Sequence, residues 1–495
     1  MKLDPIAVLP PEISLQILSY LDVATIATSL QVTKSWNELC KDHRLWQLLL
    51  LANNIEVYGR TGHYVDWHNW YKQRMRLDRN WRTGCAACFQ LPHKDHPIEG
   101  HVGPVYAVQI SGNYLVSGSS DTSIRIWDLS TERLVNRALL GHGAEVLCLQ
   151  FDPTDDADLI VSGSKNAEII VWSFSSAKPV TIIHQAHDGA VTSVRFDRKY
   201  MVTSSADQTI KIWDYESMRS LRCRTDDPSP QPLTTLIGHE GGVSAIDFFG
   251  DRLVSVSADN TVKVWSISKG ICLATVEESR SIACVKFDGG TIVLGGREGA
   301  IALYNENLEP LGNRLYYHTD LVRAIQYQRG GGFTDVIVSG SYDGSVVLWT
   351  RSANPDWHPR ALAHASFVTK DDLRDGLHPA RRDRQKQSES TDRTQTRISQ
   401  DARHAEASPD GRCDVSIMPT SAQSSTAPLV AAEQDRMRAS VIGPTHTPCI
   451  FGVDFDCRRI VCCSERSVIK GWDFANNDSE IVAISLKDRG LRYIR

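Results

Sequence analysis

A histidine, an aspartate twenty residues on and a tryptophan six further recur with both intervals kept: His101/Asp121/Trp127, His187/Asp207/Trp213 and His239/Asp259/Trp265. An imidazole beside a carboxylate is the pairing a general base uses, so any one copy alone would read as an acid–base site. A further set, His318/Asp343/Trp349, keeps the residue types with a longer first interval. No enzyme needs its catalytic pair several times over. The repetition points to a scaffold whose units each hold the same polar contact.

Aligning on the Trp defines seven units, from SGSSDTSIRIWD at Ser117 to CCSERSVIKGWD, which ends in Trp472 and Asp473. Unit two carries His142 and Trp172, and unit five puts Tyr304 in the Trp slot. Successive aromatics from Trp127 to Trp349 lie 45, 41, 52, 39 and 45 residues apart. Alternation such as Val105, Ala107, Gln109 against Tyr106, Val108, Ile110 predicts period-two strands, with turns at Asp-Asn and Asp-Gly steps. Short antiparallel strands cannot bury both faces alone. Seven sets arranged radially do so and leave few open edges.

The chain therefore resembles WD-repeat β-propellers, which implies an all-β seven-bladed ring over 85–495. In that family the His, Asp and Trp share a buried network with a Ser or Thr. The matching hydroxyls are Ser117, Ser162, Thr203, Ser255 and Ser339, ten before each Trp. Units five and seven hold Leu294 and Cys462 there; unit five also has Glu278 and Glu298, and unit seven has Arg466 in the Asp slot. His446 is the seventh unit's histidine. A half-satisfied buried network costs more than an apolar one, so its members should disappear together. Ring closure falls to Ala86–Leu91 or Ile481–Leu486, and the family's habit favours the first. Trp349 to Trp472 is 123 residues, against roughly 42 for one repeat. Residues 352–443, rich in Arg, Asp, Ser, Thr and Gln, are expected to form a disordered insertion.

Ahead of the ring lie two further segments, 5–53 and 54–84. The first reads as short helices: Pro10 and Pro11 suit a first turn, and Ile13, Ile17, Leu18 and Leu21 share a face. Asp22 and Thr33 are candidate caps for the next two, and Leu45 and Trp46 open a fourth. So small an all-α unit buries too little to stand alone, and its apolar residues suggest a partner-binding face. Leu9-Pro10-x-Glu12-Ile13, Ile17-Leu18-Ser19-Tyr20-Leu21-Asp22, Val32-x-Lys34-x-Trp36 and Leu45-Trp46 make it similar to an F-box, with Thr33 where Cys is common. The resemblance implies docking on the Skp adaptor of a cullin-RING ubiquitin ligase through Leu9, Pro10, Ile13, Ile17, Leu18, Leu21, Val32, Trp36, Leu45 and Trp46. Residues 54–84, with Trp67, Trp70, Tyr71, Met75 and Leu77, predict a helical linker.

Related propellers bind partners on the narrow face, through the residue five after the His and the one before the Asp. The first set is Tyr106, Leu147, Thr192, Ser244, Ala283, Arg323 and Phe451; the second is Ser120, Lys165, Ala206, Ala258, Arg297, Tyr342 and Glu465. Arg297, Arg323 and Tyr342 fall on adjacent blades, with Tyr106 and Lys165 as further candidates. Guanidinium groups suit an acidic or phosphorylated protein segment.

The bulk composition is compatible with this. Net charge is −5, apolar content 41% and charged content 23%, so neither nucleic acid nor a membrane surface is indicated as partner. No signal peptide or apolar run of membrane length is apparent. Twelve scattered cysteines, with one isolated CxxC at Cys85 and Cys88, suggest a reducing cytoplasm or nucleus and no metal. No cofactor, nucleophile elbow or phosphate loop is expected. The sequence thus predicts a non-catalytic substrate receptor of an SCF-type ligase. A ligase-independent WD-repeat scaffold is the alternative.

Overall fold

The computed structural model describes residues 8–21, 23–52, 66–154, 156–220, 230–329, 335–351, 356–364 and 448–487. Asp22, His446 and most of the expected insertion lie outside them.

Seven four-stranded antiparallel sheets form the blades of a propeller. Blade one is typical, with strands Val105–Ser111, Tyr114–Ser119, Ile124–Asp128 and Arg133–Leu134 from channel to rim. Val and Ile dominate the middle strands and are almost wholly buried on both faces, for example Val116, Ile124 and Ile126. The second residue of every inner strand is a β-bulge: register shifts at Tyr106, Leu147, Thr192, Ser244, Ala283, Arg323 and Phe451. An extra residue at a bulge re-aims its side chain off the pleat.

A second ring of equivalent positions stitches the inner strands together. Gln109 accepts from the Phe151 N–H at 2.6 Å, Gln150 from Phe196 at 2.9 Å, Asp247 from Phe287 at 2.9 Å, and Asp454 from Ile110 at 2.7 Å. Arg195 and Lys286, at the same position of their blades, pair with Asp247 at 3.4 and 3.1 Å. Burial pushes the Asp454 carboxyl up to about 6.

The N-terminal strand Ala87–Leu91 supplies the rim strand of blade seven, running from Ala87 opposite Asp473 to Leu91 opposite Ile469. The other candidate is no strand: Ile481 lies in the helix Ser479–Lys487. The expected insertion also began too early. His358–His364 is the rim strand of blade six, pairing Thr350 with His358. Its Pro, Arg and His residues made a strand read as spacer.

Helices α1 (Pro11–Ser19), α2 (Val23–Ser29), α3 (Lys34–Lys41) and α4 (His43–Ala52) precede a longer α5 (Trp67–Thr83). Thr33 caps α3, its hydroxyl accepting from the Trp36 N–H at 3.4 Å, and Asp66 caps α5 through the Asn69 N–H at 3.0 Å. Gly84 ends α5 at φ 68°, the left-handed position a helix C-terminus favours glycine for. The two halves of α5 serve two cores. Trp70 and Tyr71 pack with Leu15, Leu18, Ile26, Leu45 and Trp46, while Leu77 and Trp81 pack into blades six and seven. Trp81 stacks on Phe474 at 4.0 Å and donates to the Cys457 carbonyl at 3.2 Å. The C-terminal helix braces the same rod, with Asp478 accepting from Arg76 at 2.6 Å and Glu480 from Gln73.

Candidate functional site

The His/Asp/Trp units close as the spacing requires. In blade three His187 Nδ1 meets Asp207 Oδ2 at 2.9 Å, His187 Nε2 meets Thr203 Oγ1 at 2.9 Å, and Trp213 Nε1 donates to Thr203 Oγ1 at 2.9 Å. Blade four repeats this with His239, Asp259, Ser255 and Trp265 at 2.9, 2.8 and 2.8 Å. Blade one gives 3.0, 2.8 and 3.0 Å for His101, Asp121, Ser117 and Trp127. In blade six His318 Nε2 lies 2.7 Å from Ser339, while Asp343 is at 3.3 Å because Ser345 takes the near position on Nδ1.

Hydroxyl–imidazole–carboxylate is also the order of a nucleophilic triad, and the geometry shows what separates the two. The hydroxyl is engaged on both sides, accepting from the indole N–H and lying against Nε2 of the imidazole. Ser117, Thr203, Ser255 and Ser339 are fully buried, with no face open to a substrate. Desolvation lowers the His101 and His239 pKa. For Asp121 burial pushes the carboxyl up, but hydrogen bonds from His101 and Ser123 outweigh it and hold it well below the usual range.

Blade two lacks the carboxylate. His142 Nε2 reaches Ser162 at 2.7 Å, but Nδ1 is buried without a hydrogen-bond partner, and Asn166 turns instead to Glu168. Desolvation takes His142 down to about 4, from 6.5. A depressed histidine stabilises the fold fully above its unfolded pKa. That contribution, about 3 kcal/mol, is lost as pH falls from about 6.5 to about 4. Asn166→Asp should supply the missing acceptor and add about 1 kcal/mol at pH 7. NMR titration should show the imidazole moving toward 6.5, and urea unfolding the gain; no change in either would mean the carboxylate does not reach Nδ1.

Blade five departs from the expected joint loss. Its polar network is rewired: the Tyr304 hydroxyl and Arg314 both donate to the buried Glu278, and Arg280 pairs with Glu298. The Glu278–Tyr304 pair spans 26 residues, the interval from His to Trp in the regular units. That spacing was the available signal.

The proposed partner face resolves into parts. Phe451 lies 5.2 Å from Tyr106 and 5.9 Å from Tyr342, ring to ring, so blades one, six and seven present one aromatic cluster. Arg297 is exposed and lines a cavity of about 300 Å³ on blade five with Arg280, Arg314 and Tyr316. Arg323 stands on the bulge of blade six and is half-buried. Neither arginine has an ion-pair partner among the described residues. Lys165, by contrast, is tied to Glu145 at 3.1 Å, which removes it from a free basic patch.

On the helical module, Leu9, Pro10, Ile13, Ile17 and Val32 are exposed, and Leu21 and Trp36 are partly so. Leu18, Leu45 and Trp46 are a correction: they form the module's own core, with Trp46 Nε1 bonded to the Cys40 carbonyl at 2.8 Å. Tyr20 and Leu48 are exposed as well and were not among the expected contacts. Among the described residues no cluster of His, Cys, Asp or Glu could hold a metal, and no helix is long and apolar enough to cross a membrane.

Comparison with known proteins agrees with this arrangement. The F-box-like family model matches residues 6–52. The WD domain, G-beta repeat model matches 93–128, 134–173, 178–214, 230–266 and 310–350. The chain is 28% identical to Cell division control protein 4 of Saccharomyces cerevisiae, over 61% of its own length and 47% of the relative's. It is 30% identical to F-box/WD repeat-containing protein 7 of Drosophila melanogaster, over 28% of its length and 11% of the relative's. It is 31% identical to the probable E3 ubiquitin ligase complex SCF subunit sconB of Arthroderma otae, over 26% and 23%. The chain thus matches less than half the length of these relatives. It joins an F-box-like region at its N-terminus to a seven-bladed ring that carries WD repeats.

Proposed function

We propose that the chain is the substrate-recognition subunit of an SCF-type ubiquitin ligase. Its F-box-like helices dock on a Skp adaptor, and through it a cullin-RING ligase, while the channel mouth holds the protein to be ubiquitinated. What supports this reading best is the pairing, in one chain, of an exposed apolar helical face with a ring whose seven inner strands each carry a bulge at the second residue. The subunit does no chemistry itself. It raises the effective concentration of a ubiquitin-loaded enzyme near substrate lysines, working in the cytoplasm or nucleus.

Arg297 and Arg323 suit an acidic or phosphorylated segment, and Tyr106, Tyr342 and Phe451 add an apolar shelf for a neighbouring side chain. The test is co-purification with the Skp adaptor. Wild type should form a stoichiometric complex that Leu9→Ala with Pro10→Ala weakens. No complex, or one undiminished by the pair, sinks the reading and favours a ligase-independent scaffold.

A further inference from the structure

The ring that stitches the inner strands together is uneven. Gln109, Gln150, Asp247 and Asp454 each offer an acceptor to the next blade. Among the described residues, blades three, five and six make no such link. Arg195 and Lys286 have no acceptor to offer there, and the Gln326 carboxamide bonds to no described residue. All seven positions line one cavity of about 390 Å³, within the ~300–1,000 Å³ of small-molecule sites. Each stands three residues along its inner strand from the bulge, roughly 10 Å, where Phe196 and Phe248 approach the hairpin turns.

The acceptors of this lining are already engaged. Asp247 Oδ2 takes the Phe287 N–H at 2.9 Å and lies 3.1 Å from Lys286 Nζ, and the oxygens of Gln109 and Gln150 hold backbone N–H groups. Donors are left over. Arg195 gives one hydrogen bond, from Nη1 to the Val194 carbonyl at 2.9 Å. Its Nε is buried without a hydrogen-bond partner, 3.4 Å from Asp247 Oδ1. Two cations thus share one carboxylate. Water satisfies spare donors, but it carries no charge to balance the second cation. Asp454 does not balance it: the side chain is 7% exposed, no cation is within ion-pair distance among the described residues, and burial favours its neutral form.

We propose that this cavity binds a small metabolite by a phosphate or carboxylate group held between Arg195 and Lys286. The guanidinium fork suits two oxygens of one oxyanion, the ammonium suits a third contact, and Gln326 adds a neutral donor. Neither the apolar helical face nor the aromatic cluster of blades one, six and seven contributes to the site, so it stands apart from the docking surfaces proposed above.

Calorimetric titration of the full chain with glucose 6-phosphate and, separately, with citrate is the experiment. One saturable site per chain is expected for at least one of them, and the tighter probe tells a phosphate site from a carboxylate site. Arg195→Gln with Lys286→Gln should weaken that binding tenfold or more. Glutamine already occupies the position in three blades, so the melting temperature should hold. Asp454→Asn keeps an acceptor for the Ile110 N–H and removes the carboxylate an anion must face. It should tighten binding several-fold, a gain that misfolding does not give. No saturable binding of either probe up to about 10 mM overturns the proposal. So does an affinity that the folded double variant leaves unchanged, or one that Asp454→Asn fails to raise.

Discussion

Asp207→Ala is expected to destabilise the chain by about 3–5 kcal/mol, more than any surface substitution. The carboxylate accepts four hydrogen bonds: His187 Nδ1 at 2.9 Å, the Asp188 N–H at 3.0 Å, the Thr209 N–H at 2.8 Å and the Thr209 hydroxyl at 2.7 Å. Alanine removes the acceptor of two backbone amides and leaves the buried imidazole Nδ1 only the Thr209 hydroxyl, at 3.2 Å. Burial alone would push this carboxyl up, but those bonds outweigh it and hold it well below 3.8. Its contribution is therefore present above the unfolded pKa and lost as pH falls through the folded one. Urea unfolding at pH 7 measures the effect. Glu298→Ala, in the same slot of rewired blade five, is the control. Glu298 is exposed and pairs with exposed Arg280, so its loss should cost at most about 0.5 kcal/mol. Equal losses at the two sites would show that Glu298 carries a network role after all.

The second large effect concerns binding. Ile13 and Ile17 lie one turn apart on α1, 44% and 45% exposed, so Ile13→Asp with Ile17→Asp should leave folding intact. Two carboxylates in the apolar centre of an interface should cost about 3 kcal/mol or more, roughly a hundredfold in affinity for a Skp adaptor. Leu18→Ala reaches a similar loss by another route. It hollows the helical core, at about 2–5 kcal/mol, and removes the docking face by unfolding it. Calorimetric titration with the adaptor, beside circular-dichroism melting of each variant, separates the two. Retained binding by the double Asp variant would move the docking surface off α1.

What the sequence made legible, and what it did not, follows the range of the interactions. The His–Asp–Trp intervals are local, closed within one blade, so the resemblance they carry was enough to single out Ser117, Thr203, Ser255 and Ser339, which the structure sets against their indoles. Thr33 as a cap is equally local. Ile481 and its neighbours had strand-like composition, and only the fit of the C-terminal helix against α5, hundreds of residues away in sequence, made them helical. Leu18, Leu45 and Trp46 could not be told from Ile13 and Ile17 by pattern, since the same apolar stripe supplies both the module's core and its open face. His358–His364 was hidden because a rim strand pairs on one side only and tolerates proline and charge. The bulges at Tyr106 and its six equivalents leave no mark in sequence periodicity. They are visible only in the register with the next strand.

The linker helix has a mechanical consequence. Its seventeen residues, at about 1.5 Å each, make a rod of about 25 Å. Trp70 and Tyr71 are clamped at one end and Leu77 and Trp81 at the other. A flexible tether would let a captured protein sample every orientation before the ubiquitin donor. A rod clamped at both ends works as a ruler instead: for a receptor of the proposed kind, a client's fate depends on which of its lysines come within the arc the rod allows, and two clients gripped equally well can differ entirely in how they are modified.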